Sequence, residues 1–206
     1  MTSHSWYKNF AELKMSESEG SSYSVTTRNR GSTFAIVAPH GGGIEPGTSE
    51  IAKALAGSAF SYYTFDGLMQ GGNELLHITS TLFDEPNCLH LISHSDAVVA
   101  IHGCGGDQKR IFVGGLSDGL KTRLINSMVT AGFDASLPGA DYAGSQLKNI
   151  CNRGRLGQGV QLEISAGLRR VMFRKLDREG RKITTNVFKK FVASVHEELV
   201  SAAKDM

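Results

Sequence analysis

The chain has 206 residues, of which 40% are hydrophobic, so it can bury a sizeable core and suits a single domain. Its formal net charge of +2 is too small to indicate a nucleic-acid-binding protein. No apolar run approaches the roughly 20 residues that a membrane-spanning helix needs, so we expect neither nucleic acid nor a membrane as a partner.

Helical and strand patterns alternate along the chain. Residues 1–33 are polar and are predicted to form an N-terminal arm with a short helix at 10–15 and an edge strand at 23–27. The elements predicted after the arm are, in chain order, a strand at 34–38, a helix from 48, strands at 58–65 and 75–79, a helix at 85–93, strands at 97–102 and 110–114, a helix at 117–131, a strand at 159–165 and a helix at 184–203. This alternation predicts one three-layer α/β domain over residues 1–206, whose core at 34–206 has a central mixed, mostly parallel sheet with helices on both faces.

The cysteines and the N-terminus indicate where the chain is made. Cys88, Cys104 and Cys151 are widely spaced and odd in number, which favours reduced, buried thiols over a disulfide framework or a cysteine-based zinc site. Residues 1–6 lack the basic and apolar regions of a secretory signal peptide. We therefore expect synthesis in the cytoplasm without a signal peptide.

The most informative motif is AIVAPHGGGIEPGT at residues 35–48. An apolar run followed by glycines indicates a buried strand that ends in a tight loop, at the edge where open α/β sheets bind their ligands. His40 and Glu45 lie in this loop, and the glycines allow the backbone to fold back so that both side chains face one point. Because both residue types bind metals, the motif predicts a metal site.

Two later strands also carry chemically active residues. His102 ends the predicted strand at 97–102, and Glu163 lies inside an apolar strand, where an unpartnered carboxylate is costly. Two histidines and one carboxylate form a usual catalytic zinc set that leaves a fourth position for water. We therefore expect His40, Glu45 and His102 to bind one Zn²⁺ and Glu163 to act as the general base and acid.

Three segments together resemble the phage-type poly-γ-glutamate hydrolase family, namely APHGGGIEPGT, IHGC at 101–104 and GVQLEIS at 159–165. The resemblance extends from about residue 23 to residue 191. It implies a zinc carboxypeptidase-like fold, one zinc ion per chain and hydrolysis of γ-glutamyl amide bonds in the poly-γ-glutamate capsule. In the implied mechanism, a zinc-bound water attacks the amide carbonyl, and Glu163 takes its proton and passes it to the leaving amine. Zinc carboxypeptidases have two residues between their histidine and glutamate, whereas this chain has four between His40 and Glu45.

The implied substrate is a polyanion, so cationic side chains are expected near the metal. Arginine suits this role because it holds carboxylates with two hydrogen bonds. The candidates are Lys109, Arg110, Arg153, Arg155, Arg169 and Arg170. We expect Arg153 and Arg169 to bind substrate. We also expect the protein to be a monomer. A phage-type enzyme would be released when the host lyses, whereas a chromosomal or prophage copy would stay in the cytoplasm.

A serine hydrolase is the main alternative interpretation. The sequence GLSDG around Ser117 matches a nucleophile elbow, and HGGG at 40–43 matches the oxyanion loop of lipases and esterases. The triad would need a histidine after the serine, and the only one is His196, on the predicted C-terminal helix. This interpretation also leaves Glu45, His102 and Glu163 without a role, and the simpler interpretation of Ser117 is a helix N-cap.

A second alternative is a non-catalytic module that binds an acidic polymer through its arginines. The concentration of histidine and glutamate at strand ends argues against this alternative. A purely structural role for Glu163 would be a buried ion pair with a nearby arginine, and for Cys104 it would be a buried thiol. His77, His90, His94 and His196 have no supporting pattern and are expected to be structural.

Overall fold

The computed structural model describes residues 6–206. The stretch 1–6, on which the absence of a signal peptide was predicted, lies outside the described residues except for Trp6. Within 6–206, no helix is long and apolar enough to cross a membrane.

The described residues form six α-helices and seven β-strands. The helices are α1 (Phe10–Ser16), α2 (Thr48–Ala56), α3 (Pro86–Ser93), α4 (Asp118–Thr130), α5 (Ala166–Met172) and α6 (Asn186–Lys204). The strands are β1 (Tyr23–Arg28), β2 (Phe34–Gly42), β3 (Ser61–Gly67), β4 (Ala97–Cys104), β5 (Arg110–Gly114), β6 (Asp134–Ser136) and β7 (Val160–Ser165).

All seven strands belong to one sheet in the order β1-β3-β2-β4-β7-β5-β6. Strands β3, β2, β4 and β7 are parallel to one another and form its centre. At one edge β1 pairs antiparallel with β3, and at the other β5 pairs antiparallel with β7 and parallel with β6. The predicted α/β fold with a mixed, mostly parallel sheet is therefore confirmed.

Helices cover both faces of the sheet, which gives the three predicted layers. Along β2, Phe34 and Ile36 pack on the face covered by α2, α4, α5 and α6, whereas Ala35 and Val37 pack on the face covered by α1 and α3. This alternation follows from the two-residue period of a strand. The apolar cluster under α1 and α3 includes residues of β1, β2, β3 and β4 but none of β7, so β7 is free to present polar side chains on that face.

Several helices begin at side-chain caps that the sequence supplies. The Glu85 side chain accepts a hydrogen bond from the Cys88 amide at the start of α3, and Pro86 occupies the first turn. Ser165 accepts a hydrogen bond from the Leu168 amide and starts α5 directly after β7. Because these side chains satisfy amides that have no partner within the helix, they fix where each helix starts.

The prediction of a strand at 75–79 is wrong. Residues Asn73–Leu76 form a 3₁₀ turn instead. The Asn73 side chain holds both the amide and the carbonyl of Met69, which closes a local turn in place of strand pairing. The short elements β6 and α5 were not predicted. The predicted helix and strand of the arm are present as α1 and β1, while the division into an arm at 1–33 and a core at 34–206 stays a prediction.

Helix α6 is expected to supply much of the stability of its face of the sheet. Replacing the fully buried Leu199 with alanine should lower the free energy of unfolding by about 2–5 kcal/mol, because the change removes apolar contacts and leaves a cavity. The matched control is Leu137→Ala, since Leu137 is 61% exposed and its loss should change stability by no more than ~0.5 kcal/mol. Urea denaturation of both variants measures the difference, and equal losses would contradict this assignment of the core.

Candidate active site

The site lies where β2, β4 and β7 end. His40 is near the end of β2, His102 near the end of β4, and Glu163 sits beside His102 in the register of β7. Because these strands are parallel and adjacent, their carboxyl ends meet at one edge of the sheet. A cavity of about 530 Å³ opens there, and His40, Glu45, His102 and Glu163 all line it.

The glycine loop after His40 is what brings Glu45 back to the histidine. The Glu45 amide donates to the His40 carbonyl over 2.9 Å, which closes a tight turn. Gly42 has a φ of +62°, a conformation that side-chain-bearing residues rarely adopt. A Cβ atom at Gly43 would lie 2.6 Å from the Asn73 side chain. Glycine is therefore required at both positions, and the four intervening residues fit the turn.

Two histidine nitrogens and one carboxylate meet at the base of the cavity. His40 Nδ1 lies 3.1 Å from Glu45 Oε1 and 3.2 Å from His102 Nδ1, and His102 Nδ1 lies 3.6 Å from Glu45 Oε2. His40 is 1% exposed and His102 is 2% exposed. A tetrahedral zinc ion with bonds of ~2.0–2.1 Å would hold neighbouring ligand atoms about 3.3 Å apart, so these residues fit the ion that the sequence implied.

The hydrogen bonds around the site leave His40 Nδ1, the nitrogen that faces Glu45 and His102, available to bind a cation. His40 Nε2 lies 2.7 Å from the Ile78 carbonyl, which can only accept, so Nε2 carries a proton and the neutral ring presents its lone pair at Nδ1. The Gly103 amide donates to Glu45 Oε2 over 2.8 Å and orients the carboxylate. Lone pairs this close repel each other unless a positive charge lies between them. Hydrogen bonds like those to the Ile78 carbonyl and from the Gly103 amide typically orient metal ligands.

The pKa values of the site reflect this concentration of charge. Burial opposes the ionisation of Glu45, but His40 and His102 outweigh it and hold its pKa well below the usual range. Burial raises the pKa of Glu163 to about 7, with His102 and Arg169 opposing the rise and Glu45 adding to it. Burial also lowers the pKa of His77 to about 3, so its ring is neutral.

His77 belongs to this cluster, although the sequence analysis assigned it a structural role. Its ring lies on that of His40 with centroids 3.9 Å apart and planes 30° apart, and its Nε2 is 3.8 Å from Glu45 Oε1. His40, Glu45 and His77 could therefore also be grouped as metal ligands. Ring lone pairs lie in the ring plane, so two nearly parallel stacked rings do not both point at one nearby ion. The wider 52° tilt between His40 and His102 suits shared coordination better.

Glu163 is held by a chain of side-chain amides. Gln161 Nε2 donates to Glu163 Oε1 over 3.3 Å and to the Tyr142 carbonyl over 3.1 Å. Asn149 Nδ2 in turn donates to Gln161 Oε1 over 3.0 Å. Because Gln161 and Asn149 are buried, these bonds fix the orientation of Glu163 and tie it to the segment around Tyr142 that forms one wall of the cavity.

The structure does not bring the two predicted substrate-binding arginines to the cavity wall. Arg153 Nη1 donates to the Phe83 carbonyl over 2.9 Å. Arg169 is 5% exposed, and its guanidinium donates to backbone carbonyls only. Their roles in binding substrate stay predictions, because each guanidinium is engaged by the protein itself.

The residues of the alternative serine mechanism lie apart. Strand β5 is antiparallel to the central strands, so Ser117, which follows it, lies near Phe34 and Ala97 at the opposite edge of the sheet from the glycine loop. Ser117 is the N-cap position of α4. His196 Nδ1 bonds the Leu55 carbonyl over 2.7 Å, which holds the ring against α2. This geometry does not favour the serine hydrolase.

The three cysteines are free and buried, as the sequence predicted. Cys104 lines the cavity, but burial raises the pKa of its thiol to about 11, with Glu163 adding to the rise. Because the thiolate is the nucleophilic form, this cysteine is poorly suited to nucleophilic catalysis.

Known proteins are similar to this chain in both sequence and fold. Residues 7–194 match the sequence profile of the family described as poly-gamma-glutamate hydrolase. The chain belongs to the poly-gamma-glutamate hydrolase family. Among its relatives is the SPbeta prophage-derived protein YoqZ of Bacillus subtilis (strain 168), which is 46% identical over 191 residues, or 91% of this chain and 69% of YoqZ.

Solved structures of the family have the same fold. A bacteriophage poly-gamma-glutamate hydrolase superposes with a TM-score of 0.95 at 30% identity, over 98% of this chain and 100% of that one. A zinc-free form of YndL superposes with a TM-score of 0.92 at 36% identity, over 97% and 99% of the two chains. At the level of the fold alone, a candidate carboxypeptidase from Burkholderia mallei ATCC 23344 matches with a TM-score of 0.51 at 15% identity, over 89% and 60%. The carboxypeptidase-like fold is thus confirmed.

The glycine loop should tolerate no side chain at Gly42. The substitution Gly42→Ala should lower the free energy of unfolding by about 1–3 kcal/mol, because alanine is strained at this positive φ and its Cβ would meet the Gly67 backbone. The control is Gly71→Ala, because Gly71 has open space around it and its change should alter stability by less than about 1 kcal/mol. Thermal and urea unfolding compare the two, and an unaffected Gly42→Ala protein would show that the turn is more adaptable than argued.

Proposed function

We propose that this chain is a zinc-dependent hydrolase that cleaves γ-glutamyl amide bonds of poly-γ-glutamate. Family membership supports hydrolysis and the polymer substrate. The observation that carries the metal is the meeting of His40 Nδ1, His102 Nδ1 and the Glu45 carboxylate within 3.6 Å of one another. The description of a solved YndL structure as zinc-free adds support from a relative.

His40, Glu45 and His102 would hold the zinc ion in this proposal. When bound, zinc supplies a Lewis acid that lowers the pKa of water and polarises an amide carbonyl. The Ile78 carbonyl and the Gly103 amide keep His40 and Glu45 in the orientation that presents their lone pairs to the ion.

Glu163 would be the proton carrier of the reaction. Its carboxylate lines the cavity beside His102, and Gln161 holds one of its oxygens. It takes a proton from the attacking water as the C–O bond forms at the γ-carbonyl. It then delivers that proton to the amide nitrogen as the C–N bond breaks, which leaves a γ-carboxylate and an amine. A group that moves protons in both directions must stay within reach of the water oxygen and of the amide nitrogen, and a half-buried carboxylate held by Gln161 meets that need.

The biological setting follows from the same resemblance. Degradation of a poly-γ-glutamate capsule, action as a monomer and release by host lysis are parts of this proposal. A non-catalytic binder of acidic polymer is less well supported, because no lysine or arginine of residues 6–206 lines the cavity, whereas three histidines and two glutamates line it. Chain shortening of the polymer, which binding alone does not cause, separates the two.

Metal binding should depend on His102 and not on His77. We expect the purified protein to bind about one zinc per chain, as a set of two histidines and one carboxylate does, and the His102→Ala protein to lose most of it. The His77→Ala protein should retain zinc, because the stacked His77 ring points poorly at the shared ion. Elemental analysis after dialysis against zinc measures this, with the exposed-residue variant His94→Ala as control. If the His77→Ala protein lost its zinc and the His102→Ala protein retained it, His77 rather than His102 would be the ligand.

Cleavage should require both the metal and Glu163. Chelation should stop the shortening of poly-γ-glutamate on a gel, and added zinc should restore it. The Glu163→Gln protein should retain its zinc and lose about 10²–10⁴-fold in kcat, because an amide cannot carry the proton.

The control for this experiment is Ser117→Ala, which removes the nucleophile of the alternative mechanism. It should cleave like the unmodified protein. Full activity in Glu163→Gln would remove the assignment of the proton carrier, and inactivity of Ser117→Ala with activity that survives chelation would favour the serine hydrolase.

A further inference from the structure

One buried arginine touches the three chain segments that carry the site. Arg169, on α5, donates from Nε to the Ile164 carbonyl over 3.0 Å, from Nη1 to the Pro46 carbonyl over 2.8 Å, and from Nη2 to the Cys104 carbonyl over 3.0 Å. Each of its three nitrogens therefore has a backbone partner. A guanidinium is suited to this arrangement because its donors are fixed in one plane.

Each of the three carbonyls belongs to a residue one or two positions after a site residue. Pro46 follows Glu45, and Ile164 follows Glu163. Cys104 comes two residues after His102. The partners are 123, 65 and 5 residues from Arg169 in the sequence, so a single side chain joins parts of the chain that are otherwise far apart.

The space for the guanidinium exists because residue 103 is glycine. A Cβ atom at Gly103 would lie 2.6 Å from Arg169 Cζ. The Gly103 amide is the group that holds Glu45 Oε2, over 2.8 Å. Arg169 therefore packs against the same residue that orients the Glu45 carboxylate.

We propose that Arg169 is a positioning residue, which fixes the backbone segments of Glu45, His102 and Glu163 relative to one another and thereby sets the affinity of the site for zinc. This inference rests on the proposed function for its metal but differs from the substrate-binding role predicted from the sequence. Burying a guanidinium costs free energy unless its donors find partners, and here one carbonyl on each of the three nitrogens offsets much of that cost. A lysine would bring a point charge and could not span the three carbonyls in one plane.

The test compares Arg169→Met and the milder Arg169→Lys with a matched buried arginine. Arg181 is 7% exposed, and it donates to Glu50 and to the Leu176 carbonyl rather than to segments of the site. Arg181→Met therefore controls for the general loss of a buried arginine. If Arg169→Met does not fold, Arg169→Lys serves in its place.

Zinc affinity is the first measurement, by competition with a chromophoric chelator. We expect the Arg169 variants to bind zinc about 10–100-fold more weakly, as is usual when support for metal ligands is removed, and Arg181→Met to bind normally. In steady-state cleavage of poly-γ-glutamate, kcat should fall while KM changes little. A raised KM with unchanged zinc affinity would instead assign Arg169 to the substrate and overturn the proposal.

Hydrogen exchange of the zinc-free protein is the second measurement, and it does not depend on the proposed function. In Arg169→Met, backbone exchange should speed up in segments 42–49, 102–106 and 162–168 more than elsewhere, and Arg181→Met should not reproduce this pattern. Faster exchange confined to these segments supports the positioning role even if the protein binds no zinc. Unchanged exchange there, or equal effects of the two arginines, would overturn it.

Discussion

The site is organised by one electrostatic constraint, which is that two histidine nitrogens and a carboxylate are held together at the base of a cavity. His40 Nδ1, His102 Nδ1 and the Glu45 carboxylate lie within 3.1–3.6 Å of their neighbours. Such an arrangement is unfavourable without a positive charge, since lone pairs repel and burial removes the water that would screen them. The protein fixes two of these groups by hydrogen bonds, His40 through the Ile78 carbonyl and Glu45 through the Gly103 amide.

The sheet supplies the rest of the geometry. The parallel pair β4 and β7 sets His102 and Glu163 side by side, and the lack of apolar cover on β7 leaves their face open to a cavity. Because β5 runs the other way, the sequence GLSDG comes to the opposite edge. The topology therefore separates the two motifs that a serine hydrolase would need to combine, although both are present in the sequence.

The arginines near the site residues could bind the substrate or support the backbone, and the sequence does not distinguish these two roles. A polyanionic substrate calls for cations, and the sequence offers Arg153 and Arg169 close to the site residues. In the folded chain both guanidinium groups donate to backbone carbonyls, Arg153 to Phe83 and Arg169 to three segments of the site. A hydrogen bond from an arginine to a distant carbonyl has no sequence spacing to reveal it, so only the folded backbone shows where these donors go.

The sequence by itself determined the α/β fold, the mostly parallel sheet and the position of His40 and Glu45 in a glycine turn, because strand and helix periods and glycine requirements are local properties. His77 could not be found in this way, since it directly follows a 3₁₀ turn in a stretch, 75–79, whose pattern predicted a strand. Its place beside His40 was decided only by tertiary structure, as were the direction of β5 and the partners of Arg169. These features depend on contacts between residues far apart in the chain, and no local pattern carries that information.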